Sequence, residues 1–533
     1  MRTLAVAPTA RRVSLLPLAS FWAQQANQRW RSCTAETSTG AGARRRGFAT
    51  RSLPCSQPRR AEPSAHSPPP HLHAADPQLH PSGRWNSQQP IADIRPASFD
   101  AAPAVFAASP LQPAETFHSA EQEARYLLSL RAPSVLRAFA FCALLAAAAF
   151  GLAAYFTLAD ADALARRIRE ESGPFGDFAS FAARALGAAT RSEHGVSEGQ
   201  LRAAKKQVAA ERYGRTLTSL VGWCDQLHLP DGVKEFVGRS YVILAESYLN
   251  LSPSKEGVVP IIALNTAVFG AFLLVPSLYP FLFRTFVHAP WLNGTRKVST
   301  LLTSTFSHQA PVHYLFNTLA LWSFGAAAFL SPAWPLASPF SLTEHRRQQA
   351  HAHSGGMLPE PSHAPHFVAF FAVAGTVAAL LSHAVLAMRF RRAVRSSAAF
   401  RNWRAGPGRA NAHDNAELRA RLAEFVSHAS LGSSGAVYAA LVMAACALPD
   451  ARVGIIFVPF IAFPITWGVG AMVLTDLLGV VRGWRMFDHW AHLGGAAFGA
   501  AYWYAGWGFW ERVKRVTYDA CFKDRNPIEQ KRV

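Results

Sequence analysis

The chain has 533 residues, 50% of them hydrophobic, and its apolar residues occur in long blocks typical of membrane proteins. The formal net charge of +20 is large, but no zinc-finger or RNA-recognition signature accompanies it, so we interpret the basic residues as targeting and topology determinants and expect no nucleic-acid partner. The six cysteines are scattered without a CxxC pair, which argues against a disulfide framework and against a zinc site.

The N-terminal region predicts a mitochondrial presequence over residues 1–48. The first fifty residues contain eight arginines, no lysine and no acidic residue before Glu36, which is the composition of such a segment. The stretch RRRGFAT resembles a processing site that cuts between Phe48 and Ala49. Residues 49–130 are rich in Pro and Ser, and we expect a disordered linker because they offer little apolar surface to bury.

Seven apolar blocks are candidate membrane spans. The block at 138–158 has the length that a helix needs to cross a bilayer, and it predicts an extra N-terminal transmembrane helix within 131–158. A soluble, partly helical insert is expected at 159–256, a six-block core at 257–512 and a basic tail at 513–533. The core blocks lie at 258–275, 312–330, 367–387, 435–448, 453–480 and 487–510.

The block at 435–448 is too short to cross a bilayer alone, and Ser434 stands directly before it in the stretch LGSSGAVYA. A helix that begins part-way into the bilayer must start in a water-filled cavity or be covered by protein. Gly432 and Gly435 flank the serine pair and would allow another backbone to approach closely. A simple helix cap is the alternative interpretation of these residues. A hydroxyl group at membrane depth nevertheless indicates function, provided that a base lies nearby.

The last block supplies that base. His492 lies one turn inside it, followed by Gly495 and Gly499, which form a GxxxG face for close helix packing. We expect this face to bring a ring nitrogen of His492 within hydrogen-bond distance of Ser434, and Tyr438, one turn beyond the serine, to pack on the imidazole. On the helix that follows Ser434, we expect the glycine face to contact a row of small residues at the same four-residue step, Ala436, Ala440 and Ala444.

An upstream block supplies candidate donors for an oxyanion. His313 and Asn317 are four residues apart and share one helical face, and His308 lies just before them. The Asn317 amide donates at any pH because it does not titrate. The backbone N–H of Ser434 would add a donor at a helix N-terminus. These groups are suited to an acyl-transfer site, where negative charge develops on the carbonyl oxygen.

These residues resemble the motifs of the rhomboid intramembrane serine proteases, which are H-x4-H-x3-N, G-x-S-G and A-H-x2-G-x3-G. The matching residues here are His308, His313 and Asn317, then Gly432, Ser434 and Gly435, then Ala491, His492, Gly495 and Gly499. The stretches LLTSTFSH, LALWSFG, IIFVPF and RMFDHWAHLGGAAFG are similar to the mitochondrial presenilin-associated rhomboid-like branch. The resemblance covers about residues 240–512.

The resemblance implies an all-α polytopic membrane protein, with a rhomboid six-helix core preceded by one extra transmembrane helix, in the mitochondrial inner membrane. Ser434 would be the nucleophile, and His492 the general base and later the acid. Asn317, His313 and the Ser434 amide would form the oxyanion hole. Tyr438 would stack on His492. Supporting positions would be His308, Gly432, Gly435, Gly495 and Gly499. The substrates would be transmembrane segments of single-span proteins in the lipid bilayer, and no cofactor is expected.

Three points stay open at this stage. Asp488 lies four residues before His492 and is a candidate to orient the imidazole, although the family has no third carboxylate and a bond to solvent or to the loop is the alternative. A catalytically silent rhomboid-like protein that binds membrane clients is a second interpretation. A metal carrier is the third, with a polar track formed by His308, His313, His489 and His492.

Overall fold

The computed structural model describes residues 111–185, 196–292, 297–331, 334, 357–455, 458–484 and 487–523. All of them belong to one compact unit, Pro90–Val533. The presequence predicted at 1–48 and the first part of the predicted linker lie outside the described residues. The described end of that linker is not disordered as predicted, because it forms the helix Ala120–Ser129 with Ala124 and Leu127 buried.

Helices dominate the described chain. Before the core they are α1 (Ala120–Ser129), α2 (Val135–Ala185), α3 (Glu198–Gln226) and α4 (Asp231–Leu249). The following helices are α5 (Val258–Leu274), α6 (Tyr279–Phe286), α7 (Thr300–Thr303), α8 (Pro311–Phe324), α9 (Ala364–Ser396), α10 (Ala398–Ala405) and α11 (Ala412–Val426). The last are α12 (Ser434–Ala447), α13 (Ile465–Arg482) and α14 (His489–Cys521). Short 3₁₀ segments lie at Ala114–Thr116, Pro276–Leu278, Ser304–Phe306 and Ala327–Leu330.

This architecture confirms the predicted class, an all-α polytopic membrane protein. By length and composition, three helical segments of the described chain can each cross a membrane, namely Val135–Ser172, Ala364–Ser396 and Ile465–Arg482. A fourth candidate is a pair bent by 105°, Val258–Leu274 with Pro276–Phe286. Large apolar side chains such as Leu144 in α2 and Trp467 in α13 are exposed, as expected where lipid is the solvent.

Three predicted spans differ from the structure. The blocks at 312–330 and 487–510 form α8 and α14, neither of which is among the span candidates of the described chain. The block at 453–480 begins as an antiparallel strand pair, β1 (Arg452–Ile455) and β2 (Val458–Pro464), and only then continues as α13. Runs of Val, Ile and Phe favour extended backbone, and Pro464 stands at the N-cap of α13 in a non-helical conformation. Apolar composition alone does not separate the two structures, because short apolar runs are ambiguous between strand and helix.

Local capping explains where several helices begin. Ser197 and Gln200 form a reciprocal capping box at the start of α3. The Asn411 side chain accepts from the N–H of Asp414 at the start of α11. Asp488 accepts from the N–H of Ala491 at the start of α14. The insert predicted at 159–256 is helical in its described parts, because α2 extends well past residue 158 and α3 and α4 follow it.

The core lies between α2, α9, α12 and α14 and is rich in aromatic rings. Phe150 stacks on Tyr502 with ring centroids 5.8 Å apart, and the Tyr502 ring packs 4.9 Å from that of Phe370. The His366 ring lies 3.9 Å from the Trp510 ring, and His366 Nε2 is 2.8 Å from the Tyr502 hydroxyl. These contacts fix α14 against α9.

Two polar contacts mark the opposite ends of the helix bundle. At the end where α12 begins, Arg419 of α11 pairs with Glu123 of α1 at 2.5 Å, so the segment before the first span docks on α11, the helix that precedes α12. At the other end, Lys514 of α14 pairs with Glu360 at 2.6 Å. Lys514 lies 22 residues beyond His492, about 33 Å at the helical rise. The N-terminal segment and the start of α12 therefore share one side of the bundle.

Candidate active site

The glycines of α14 set its close contact with α12. A methyl group added to Gly495 would overlap the carbonyl oxygen of Gly435, and one added to Gly499 would overlap the backbone of Ala439. Without such methyl groups the two backbones touch, which is the packing that a GxxxG face allows. The face contacts Gly435 and Ala439.

The prediction of which small residues on α12 contact this glycine face was therefore wrong by one position. The predicted row was Ala436, Ala440 and Ala444, whereas the residues in contact are Gly435 and Ala439. Gly435 also faces α9, where an added methyl group would overlap the side chain of Ala378. Three helices thus converge at Gly435, and a residue next to it lies close to both α9 and α14.

Ser434 and His492 meet at this convergence. The Ser434 Oγ lies 2.9 Å from the His492 Nε2, within the hydrogen-bond distance expected from the sequence. The Tyr438 ring stacks on the imidazole with centroids 4.7 Å apart and planes 12° apart. Both partners of the pair are only partly buried, so water and a substrate can reach them. This is the arrangement of a nucleophile beside its general base.

A carboxylate that the sequence analysis did not assign to this site lies on the other side of the imidazole. Asp476 of α13 places its Oδ1 3.1 Å from His492 Nδ1 and 2.6 Å from His489 Nδ1. Tyr438 donates its hydroxyl proton to Oδ2 of the same carboxylate. Asp476 is 3% exposed. An acidic residue in the middle of an apolar helix was a usable signal in the sequence, because such residues are costly in membranes.

Asp488 does not orient the imidazole through its side chain. Its Oδ1 accepts from the N–H of Ala491 at 3.1 Å, and its Oδ2 accepts from Ser382 and Ser430, each at 2.7 Å. The carboxylate is a helix cap that also ties α14 to α9 and to the loop before α12. The bond from Ser430 is the loop bond that the sequence analysis gave as the alternative. The spacing of four residues does not bring the carboxylate to the imidazole, because Asp488 precedes the first helical residue and its side chain turns back to the helix terminus.

The predicted oxyanion donors lie on α8 next to the serine loop. The His313 imidazole packs directly on Gly432, where a methyl group would lie 2.6 Å from the ring Cε1. Gly432 has φ of 128°, a conformation that favours glycine. The Asn317 Nδ2 donates to the backbone oxygen of His313 at 2.8 Å. The Asn317 amide has a second N–H, which can donate to a substrate.

His308 supports the loop that carries the serine. Its Nε2 lies 3.1 Å from the Ser433 Oγ and 3.4 Å from the Ser433 backbone nitrogen, and its ring packs 5.2 Å from that of His313. His308 and Ser433 are fully buried. The backbone N–H of Gly432 donates to the Ser304 oxygen at 2.9 Å. These bonds fix the backbone immediately before Ser434.

The metal-carrier interpretation gains no support from the described residues. No group of three or more His, Cys, Asp or Glu side chains among them could hold a metal ion. His489 and His492 do meet, but on a single carboxylate to which each presents its Nδ1. The polar track expected from the four histidines is instead divided between the serine loop and the Asp476 carboxylate.

Comparisons with known proteins agree with this geometry. Residues 363–509 match the family model of the Rhomboid domain. The chain is 30% identical over 258 residues to "Presenilin-associated rhomboid-like protein A, mitochondrial" of Danio rerio, a match over 48% of this chain and 49% of that protein. It is 28% identical over 281 residues to "Presenilin-associated rhomboid-like protein, mitochondrial" of Bos taurus and of Homo sapiens, over 52% of this chain and 53% of each relative.

The chain thus spans about half the length of the curated relatives it matches. No solved structure matches it. The matches establish a rhomboid domain in this chain and its homology, over about half the chain, to the mitochondrial presenilin-associated rhomboid-like proteins.

Proposed function

We propose that the rhomboid domain of this chain is an intramembrane serine endopeptidase that cleaves transmembrane segments of single-span membrane proteins. The observation that carries the proposal is the 2.9 Å contact between Ser434 Oγ and His492 Nε2. The contact lies where three helices meet, and both side chains remain partly accessible. The rhomboid family and the homologous proteins support the same protease class.

The proposed first half-reaction forms an acyl-enzyme. Ser434 Oγ attacks the scissile carbonyl carbon while His492 Nε2 takes the hydroxyl proton. The carbonyl oxygen becomes an oxyanion, which the Ser434 backbone N–H, the Asn317 amide and the His313 imidazole stabilise. The backbone N–H groups of the first helical turn have no partner within their own helix, so the start of α12 offers a free donor. The C–N bond then breaks, and His492 gives its proton to the leaving amine.

The second half-reaction needs water inside the bilayer. A water molecule attacks the acyl carbon, His492 takes its proton, and the C–O bond to Ser434 breaks as the hydroxyl proton returns to Oγ. The substrate must also be unwound locally, because a helical peptide bond is shielded by its own hydrogen bonds. We therefore expect substrates whose spans contain Gly, Pro or other residues that weaken a helix.

The proposed location is the mitochondrial inner membrane, with several passes through it. The arginine-rich first fifty residues, the membrane-span candidates and the mitochondrial homologues support a mitochondrial membrane protein. The inner membrane and the number of passes are part of the proposal. The silent client-binding alternative is disfavoured, because the serine, the imidazole and the asparagine are all present and the first two are in contact.

The decisive experiment uses the full chain in lipid vesicles. We expect it to cleave a single-span substrate with a Gly–Pro pair in its span, and we expect Ser434→Ala and His492→Ala to be inactive. Ser247→Ala is the matched control, since it removes an equivalent hydroxyl from the exposed helix α4. A fluorophosphonate probe should label the wild-type chain and not Ser434→Ala. Equal cleavage by the wild type and Ser434→Ala would refute the proposal.

A further inference from the structure

We propose that Asp476 is a positioning residue for His492, so that this site operates as a Ser434–His492–Asp476 triad. The inference rests on the proposed protease function and adds a third member to its machinery. Asp476 lies in α13, and the other two residues come from α12 and α14. Each of the three helices therefore contributes one member.

The distances place the three side chains in the order that a catalytic triad requires. Ser434 Oγ is 2.9 Å from His492 Nε2, and Asp476 Oδ1 is 3.1 Å from His492 Nδ1. The imidazole thus lies between the hydroxyl and the carboxylate. Nε2 can accept the serine proton only in the tautomer that carries a proton on Nδ1, and a carboxylate oxygen at Nδ1 selects that tautomer. The carboxylate also stabilises the imidazolium that forms when the proton arrives.

The surroundings of Asp476 favour an ionised carboxylate. Its three hydrogen-bond partners are His492, His489 and Tyr438. The ion-pair partners found for it in the described chain are the two histidines. A buried carboxylate is tolerated when donors satisfy its oxygens. Since no lysine or arginine among the described residues neutralises it, its negative charge is available to the imidazolium of His492.

Tyr438 holds the carboxylate and the imidazole in register. The Tyr438 ring stacks on His492 while its hydroxyl binds Asp476, so one side chain touches both. The His489 ring packs on Gly479, where a methyl group would overlap it. Gly479 lies three residues after Asp476 on the same helix, and its missing side chain gives His489 access to the carboxylate.

The competing explanation is structural. The shorter distance, 2.6 Å, is to His489 and not to His492. In this explanation Asp476 only joins α13 to the start of α14. The two explanations differ in what they predict for turnover. A helix anchor changes stability and substrate affinity, whereas a positioning residue changes kcat at constant KM.

The test measures kcat and KM in vesicles for the wild type, Asp476→Asn, His489→Gln and Asp488→Asn. We expect Asp476→Asn to lower kcat about 10²- to 10⁴-fold with KM within about threefold, because an amide can donate to Nδ1 and so stabilise the wrong tautomer. His489→Gln, whose amide can still donate to Asp476, should stay within about tenfold of the wild-type kcat. Asp488→Asn, the matched carboxylate at the helix cap, should do the same.

Asp476→Asn with kcat within tenfold of the wild type would overturn the triad, while an inactive Ser434→Ala in the same assay would leave the proposed function standing. A kcat loss in His489→Gln as large as in Asp476→Asn would also overturn it, because the carboxylate would then act through His489. If Ser434→Ala cleaves the substrate as well as the wild type does, the proposed function itself fails, which is a separate outcome.

If Asp476→Asn does not fold, NMR of the His489→Gln chain with ¹⁵N-labelled histidine carries the test. The imidazole left on the carboxylate is then that of His492, and its Nδ1 proton should resonate far downfield, as expected for a bond to a buried carboxylate. His492→Gln identifies the signal by its loss. A spectrum without this resonance would overturn the proposal.

Discussion

At the scale of single residues, Asn317 is the proposed side-chain amide donor to the oxyanion. Its amide nitrogen is bonded to the His313 backbone oxygen, one turn earlier in α8. That bond satisfies one N–H of a nearly buried amide and holds the group in place. On the proposed function, the second N–H donates to the oxyanion. A bond that strengthens as charge develops on the oxygen favours the transition state over bound substrate.

Asn317→Ala should therefore lower turnover without weakening substrate binding. We expect kcat to fall about 10²- to 10³-fold, the usual cost of losing one oxyanion donor, with KM nearly unchanged. Steady-state kinetics on a vesicle-bound substrate measures both constants. Labelling of Ser434 by a fluorophosphonate should persist, which would show that the pair remains assembled. A rise in KM at constant kcat would instead assign Asn317 to substrate binding.

The residues that meet at the site were predictable to different degrees. Ser434, His492 and Tyr438 stand beside glycines at helical spacing, and those glycines indicate which faces touch. Asp476 belongs to a third helix, and its direction depends on how α13 docks against α14. That docking is a tertiary result that helical periodicity does not encode. For Asp488 the alternative interpretation, a bond to the loop, is the one that the structure shows. Sequence spacing left its role open because it does not reveal where a helix begins.

At the scale of elements, the contact between α12 and α14 controls the distance between the serine and the imidazole. Gly495 and Gly499 allow backbone contact with Gly435 and Ala439. A side chain at either glycine must push the helices apart or displace the backbone. Because protein interiors are close-packed, the displacement cannot be absorbed without cost.

Gly499→Ala should destabilise the protein by about 1–3 kcal/mol and reduce cleavage, because the added methyl overlaps the Ala439 backbone. Gly508→Ala is the matched control on the same helix, since a methyl there meets nothing closer than the Arg512 guanidinium at 4.0 Å. Thermal unfolding in detergent and cleavage in vesicles measure the two effects. If both variants behave alike, the close contact does not position the pair.

The helices themselves were largely predictable, and the strand pair was not. Every described apolar block forms a helix except the first part of 453–480, which forms β1 and β2. Long blocks leave little choice, because only a helix satisfies its own backbone over such a length in lipid. A short stretch of β-branched and aromatic residues can instead pair with its neighbour. The sequence alone does not decide between these outcomes.

At the scale of the whole molecule, one buried ion pair closes the end of the bundle remote from Ser434. Glu360 accepts from Lys514 at 2.6 Å and from Trp510 at 2.8 Å, and its other oxygen lies 3.1 Å from His363 Nδ1. Burial alone would raise the pKa of Glu360, but the attraction of the Lys514 ammonium outweighs it and holds that pKa well below its usual range.

The lowered pKa makes stability depend on acid pH. When the pKa of a carboxyl group is lower in the folded than in the unfolded state, its ionised form stabilises the fold. This contribution is complete at pH values above the pKa of the unfolded state, and it is lost as the pH falls through the pKa of the folded state. We therefore expect unfolding temperatures to decline below about pH 4, near the unfolded pKa of Glu. Glu360→Gln should lack this component of the decline.

At neutral pH, Glu360→Gln should cost about 1–3 kcal/mol, because it removes one of the two carboxylates that pair with the buried Lys514 ammonium and leaves Glu511 at 2.7 Å. Lys514→Met, which leaves both carboxylates without the ammonium, should cost more. Thermal unfolding of the three chains in detergent, from neutral pH down to about pH 3, measures these effects. If the unfolding temperatures of the wild type and Glu360→Gln change with pH in parallel, Glu360 does not cause the decline in stability at acid pH.

The shortness of α12 has a consequence for the fate of whatever is cut. Its 14 residues span about 21 Å, whereas a hydrocarbon layer is about 30 Å thick, so a helix of this length that starts at one face ends about 9 Å, or about six residues of helix, short of the other. On the proposed function, a scission at that depth would give unequal products. One fragment would keep most of its anchor and stay embedded, whereas the other would retain a stub too short to hold it. Each turnover would thus release a tethered domain into the adjoining aqueous compartment.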